Sequence, residues 1–313
     1  MNKDSKAVVF LGALLCCFLW GSAFPGIKLG YEFWNIEAGE IGKIICFAGV
    51  RFFLAGILVI VFGSMIKRKL LIPKKADIPQ ILILSFFQTI GQYVFFYVGL
   101  AHTSGVNASV INSLTSFFAI LVAGLVFRME RLNKRKIIGC VLGFAGVLIV
   151  NLTGEGFSVN LLGDGLMVLT CIFYGFSSSL IKIYSEKHDT VLLSGCQFMV
   201  GGLVLTLVGL PWGIREGTES VTVQPAGIGI LIYLALVSSV AYTVWGLLLK
   251  NNDVSRISIF GFMTPVMGVI LSAFFLGEAG QLGIRHIVSL VLVSAGIVVV
   301  NEVTTGFCRK GES

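Results

Sequence analysis

Gln88 and Gln92 stand four residues apart with Tyr93 beside them, so on a helix the two amides share one face. Similar spacing joins Asn112 to Thr115, Tyr174 to Ser178, and Ser238 to Tyr242 and Trp245. Amides and hydroxyls so placed can hydrogen-bond a polar solute, while the rings of Trp20, Tyr93, Tyr174, Tyr242 and Trp245 cover its apolar or cationic parts. The alternative use is glue between helices, where each Ser, Thr, Asn or Gln contributes roughly 0.6 to 2 kcal/mol. Shared helical faces favour a cavity lining for Gln88, Gln92 and Tyr93 together with Trp20 and Trp245.

Arg51 is the basic residue placed deepest in an apolar run, roughly seven residues from the end of its helix and so about 10 Å in. Two readings stay open for it. Its guanidinium can hold a carboxylate or phosphate bidentately, or it can snorkel outward and cap carbonyls of a neighbouring helix.

The residues expected of an enzyme do not converge. His102, His188 and His286 fall in loops or at helix ends, and no HExxH, CxxC cluster or phosphate-binding glycine loop occurs. No catalytic residue, metal or cofactor is therefore expected. Asp164, Glu130 and Glu278 sit near helix ends, which argues against proton coupling through a carboxylate at mid-depth.

These side chains must be positioned by membrane-length helices. A mean hydropathy of +0.94, with 56% apolar and 12% charged residues, cannot be wrapped around one soluble core, so lipid must cover most of the surface. Apolar windows recur at about 8–30, 44–66, 78–101, 106–127, 136–152, 161–183, 190–213, 226–249, 255–276 and 284–302. The expected fold is all-α and integral to the membrane, with about ten transmembrane helices. The first window is too long for a signal-peptide core and has no clear cleavage site, so it reads as a permanent span. The cysteines lie mostly inside apolar helices, where they act as small hydrophobes.

The net charge of +7 follows the same plan and indicates no nucleic-acid partner. Lys67, Arg68, Lys69, Lys74 and Lys75, then Arg128, Arg131, Lys134, Arg135 and Lys136, fall on one side of the expected spans, against Lys43, Arg215 and Arg285 on the other. The positive-inside rule then puts both termini in the cytoplasm, in the cell membrane of a prokaryote.

The chain also repeats itself. FLWGSAFPGIK from Phe18 returns as IFYGFSSSLIK from Ile172, RFFLAGIL from Arg51 as QFMVGGLV from Gln197, and GQYVFFYVGL from Gly91 as VAYTVWGLLL from Val240. Five spans per half invert one half against the other, giving units at 1–152 and 153–313. Such repeats build a site for a small-molecule substrate between halves that rock, with Pro25 and Pro265 as hinge candidates. Small residues on the fifth and tenth spans suit packing within the chain or a homodimer contact.

With the FRMERLNKRKIIG stretch and TPVMGVILSAFFLGE ending at Glu278, these motifs resemble the EamA family of the drug/metabolite transporter superfamily over nearly the whole chain. Ser116 departs from it, standing where the first repeat commonly has the proline retained as Pro265. The resemblance implies ten helices, a midplane cavity between helices one, three, four, six, eight and nine, and movement of small organic metabolites, often outward. A neutral or zwitterionic solute such as an amino acid fits the inventory best. Proton-coupled efflux of cationic compounds, or a receptor without transport, are the competing readings.

Overall fold

The computed structural model describes residues 5–37, 39–102, 111–151, 161–217, 224–275 and 284–308, and these contain helices and no strand. The helices are α1 (Lys6–Phe33), α2 (Ile41–Ile66), α3 (75–102), α4 (Ile111–Val126), α5 (Lys134–Asn151), α6 (Leu161–Tyr184), α7 (Thr190–Arg215), α8 (Pro225–Asn251), α9 (254–275) and α10 (Ile284–Cys308). Among the described residues, α1, α2, α3, α6, α7 and α8 are long and apolar enough to cross a membrane, and α4 and α10 hold shorter apolar stretches.

Regular α-helix gives way locally in α3, α4 and α9. Within α3 the α-helix Ile78–Leu84 widens into a π turn over Ser85–Gly91 and resumes at Gln92. The end of α4 widens likewise over Val122–Val126. A short helix, Val254–Ser258, and a 3-10 turn, Ile259–Phe262, precede the main stretch of α9, which puts Pro265 in that stretch's first turn. There a proline costs no interior hydrogen bond, whereas Pro25 lies inside α1, which remains helical through it.

Two antiparallel pairs frame the bundle. Gly42, Gly49, Gly56 and Gly63 recur every seven residues on α2, and the first three meet Gly209, Gly202 and Gly195, spaced alike, on α7. A Cβ on Gly202 would lie 2.3 Å from the Phe53 nitrogen, and one on Gly209 2.5 Å from that of Cys46, so backbone touches backbone. On α5, Gly139 and Gly146 press on the Gly296 and Ser289 carbonyls of α10 in the same manner.

Helix α1 lies against α8 and α9, and α6 against α3 and α4. Cysteine thiols anchor both. Cys16 donates to the Ala241 carbonyl and Cys17 to that of Phe260, while Cys171 donates to the Ile111 carbonyl.

The helix ends carry polar caps. Glu216 accepts from the Gly42 and Lys43 amides at 3.0 and 3.2 Å, placing an anion at the positive end of the α2 dipole. Asp189 caps α7 and pairs with Lys67, and Asp77 bonds His188. At the end of the bundle rich in lysine and arginine, the buried Glu130 pairs with Lys136 and accepts from the Ser255 amide and hydroxyl, tying α4 to the start of α9. The Lys43 ammonium bonds Glu40 and holds that carboxyl below its ordinary range.

Candidate functional site

A cavity of about 140 Å³ lies among α1, α2, α3, α4, α6, α8 and α9. Its frame is aromatic. The Tyr93 and Tyr242 hydroxyls meet at 2.6 Å, joining α3 to α8. Trp20 stands edge-on to Tyr242 at 5.1 Å and to Trp245 at 4.9 Å. Behind the tyrosines, Phe52 and Phe198 stack at 5.3 Å, with Phe52 against Tyr93 and Phe198 against Tyr242. Offset and edge contacts of this kind add about 0.5 to 1.5 kcal/mol each beyond burial, enough to hold the walls in one arrangement.

The π turn sets which amide reaches this space. Thr89 donates to the Gln197 side-chain oxygen at 2.7 Å and Ser85 to the Gln197 carbonyl at 3.1 Å, fixing the widened segment against α7. Beyond it Gln92 and Tyr93 line the cavity, while Gln88, one turn earlier, is buried outside it. The shared face expected for the two glutamines therefore does not bring both to the cavity, because the helix between them is not α.

Asn112 and Thr115 line it from the start of α4, where the Thr115 hydroxyl donates to the Asn112 carbonyl at 2.8 Å. Tyr174 contributes from α6 and Pro265 from α9. Ser178 and Trp245 do not reach the lining: both are buried, and Trp245 backs Trp20 within the apolar core. Pro25 is buried in α1 away from the cavity. Tyr97, Ser113 and Thr264 line it without having been singled out from the sequence. Tyr97 could have been found by extending the stripe of Tyr93 by four residues. Ser113 and Thr264 carry no periodic signal.

Arg51 lines the cavity at 4% exposure, its guanidinium carbon 4.4 Å from the Phe52 ring centre and 6.0 Å from that of Tyr93. It forms no ion pair among the described residues, and its Nε is buried without a hydrogen-bond partner. Trp20 Nε1 and Gln92 Oε1 are unpartnered as well. Each such group costs about 1 to 3 kcal/mol. Among the described lining residues Arg51 supplies the charge and no carboxylate is present, and no cluster of metal-ligating side chains occurs among the described residues.

Comparisons with known proteins point the same way. The profile of the EamA-like transporter family matches the chain twice, over residues 7–152 and 161–302. An uncharacterized transporter of Archaeoglobus fulgidus is 27% identical over 285 residues, covering 90% of this chain and 94% of its own. A probable amino-acid metabolite efflux pump of Salmonella typhimurium is 26% identical, covering 91% and 92% of the two chains. A probable terminal-alkyne amino-acid exporter of Streptantibioticus cattleyicolor is 23% identical, covering 99% and 98%. A solved crystal structure superposes with a TM-score of 0.75 at 16% identity over 99% of this chain and all of the other, a likeness of fold.

Proposed function

The chain belongs to the EamA-like transporter family and is a multi-pass membrane protein, and from that premise we propose that it exports or exchanges small organic metabolites of the amino-acid kind. The observation that carries the reading is the set of aromatic and amide side chains lining the cavity, with the Tyr93–Tyr242 contact joining two of its helices. Two relatives are named for export of amino-acid compounds, which supports the substrate class.

The mechanism we propose is alternating access between two inverted five-helix repeats, residues 1–152 and 153–313, making ten crossings. Recurring contacts support it. Cys17 and Cys171, matched by the opening motifs, bond the carbonyls of Phe260 and Ile111. Gly21 and Gly175, matched likewise, press on Met267 and Phe118. Those acceptors and neighbours share one offset, since 260 − 111 and 267 − 118 both equal 149. Repeats that make the same contacts with opposite polarity can exchange conformations, which opens a shared site to each side in turn.

Beyond the cavity, toward the basic end, Trp245, Leu248, Leu249, Val254 and Ile257 are packed into the core. With the positive-inside rule, this is a conformer closed to the cytoplasm, with both termini on that side of the cell membrane. A lining without a carboxylate among its described residues supports facilitated transport or exchange over proton coupling at this site.

The test is efflux from proteoliposomes loaded with amino acids, polyamines, nucleosides and cationic dyes, read by mass spectrometry against protein-free vesicles. Selective loss of amino acids without an imposed gradient supports the proposal. Loss of dyes alone under a proton gradient would replace it with cationic-drug efflux, and no loss under either condition would reject transport.

A further inference from the structure

Arg51 and Gln197 occupy matched positions of the two halves, and what each does differs. Gln197 is spent on structure: its side-chain oxygen accepts from Thr89 and its carbonyl from Ser85, closing α7 onto α3. Continuing the match of GQYVFFYVGL with VAYTVWGLLL back by two residues pairs Thr89 with Ser238. Ser238 lines the cavity, as Arg51 does, yet Arg51 Nε is left without a hydrogen-bond partner. The contact that seals one half has thus been replaced in the other by a buried cation facing open space.

A guanidinium at 4% exposure, within a lining that offers no carboxylate among its described residues, is costly unless an anion joins it. The other unpartnered atoms complete a pattern. Trp20 Nε1 is a second donor, Gln92 Oε1 is an acceptor, and the faces of Trp20, Tyr93 and Tyr242 can cover an ammonium or an apolar side chain. One guanidinium without a lysine among the described lining residues balances a single negative charge, which favours a carboxylate over a dianionic phosphate.

Resting on the transport reading above, we propose that Arg51 is the receptor for the substrate's carboxylate, so that the protein selects small monocarboxylates and zwitterionic amino acids and rejects amines of the same shape. A net-cationic solute would place its charge near Arg51 with no carboxylate among the described lining residues to offset the repulsion. Discrimination therefore resides in a matched pair whose two members have diverged in chemistry.

The experiment uses the purified full chain and two matched series: L-leucine, isovalerate, L-leucinamide and isoamylamine, then L-phenylalanine, phenylpropionate, L-phenylalaninamide and phenethylamine. Thermal stabilisation reads binding, and efflux of the same compounds from proteoliposomes reads transport. The expected result is stabilisation by the carboxylate members of at least one series at millimolar concentration and by neither amide nor amine. Arg51→Gln weakens that response by more than about tenfold, the loss expected when a buried charge pair gives up one partner, and Arg51→Lys keeps part of it. Equal responses across a series, no response to any carboxylate, or an Arg51→Gln protein that responds as the parent does would overturn the inference. Carboxylate binding through Arg51 without flux would leave it standing and reject transport, whereas flux blind to the carboxylate would do the reverse.

Discussion

At the scale of single residues, the hydroxyl pair of Tyr93 and Tyr242 is the most sharply testable feature, because removing one partner strands the other in a buried frame. Tyr93→Phe and Tyr242→Phe should each lower stability by about 1 kcal/mol, and the double replacement should cost less than their sum, measured as a cycle of melting temperatures. Gln92 makes no bond with its side-chain oxygen, so Gln92→Ala should reduce flux strongly while shifting the melting temperature little. Parallel loss of flux and of folded protein would return Gln92 to a structural role. Much of this lining was legible in the sequence: Trp20, Gln92, Tyr93, Asn112, Thr115, Tyr174 and Tyr242 all stand around the cavity. Gln88 does not, because the π turn breaks the α spacing between it and Gln92, and Ser178 and Trp245 do not, since a stripe at helical spacing says which residues share a face and not how far up that face the open space extends. The diverged roles of Arg51 and Gln197 could not be read either, because the repeat equates their positions while only packing shows that Gln197 has found Thr89.

At the scale of elements, the expected windows at 8–30, 44–66, 78–101, 161–183, 190–213 and 226–249 coincide with the six long apolar helices, as hydropathy alone should secure where lipid is the solvent. What hydropathy could not reveal is shape within a helix. The π turn at Ser85–Gly91 has no compositional mark, since its cause lies in α7 and in Phe173, whose ring would be 2.1 Å from a Cβ on Gly91. The glycine seam of α2 and α7 is visible as a seven-residue repeat once both helices are known to pair. Gly202→Ala should force these helices apart and lower stability by about 1 to 3 kcal/mol, whereas Gly229→Ala, whose Cβ meets nothing within 4 Å, should be neutral or slightly stabilising. Equal melting temperatures for the two variants would contradict the close approach. Glu130, near a helix end, links two helices through Lys136 and Ser255, and Glu130→Ala should cost about 2 to 3 kcal/mol by leaving both without an acceptor. Chemical or thermal denaturation of the purified protein checks this.

At the scale of the whole molecule, the proposed function requires one cavity to face two compartments in turn. Toward the basic end, Trp245 is packed into the core and Glu130 bonds Lys136 and Ser255. Among the described residues the native cysteines inside the helices are buried except for the half-buried Cys46, so a single reporter can be read against a quiet background once they are replaced. The most direct test places a cysteine at Ser238, in the cavity lining, and measures its labelling by a membrane-impermeant thiol reagent applied to each face of oriented vesicles. Alternating access predicts labelling from both faces, with the share from each side changing when a transported amino acid is added. Labelling from one face only, unchanged by any solute, would contradict it and leave the cavity a binding pocket with a single entrance.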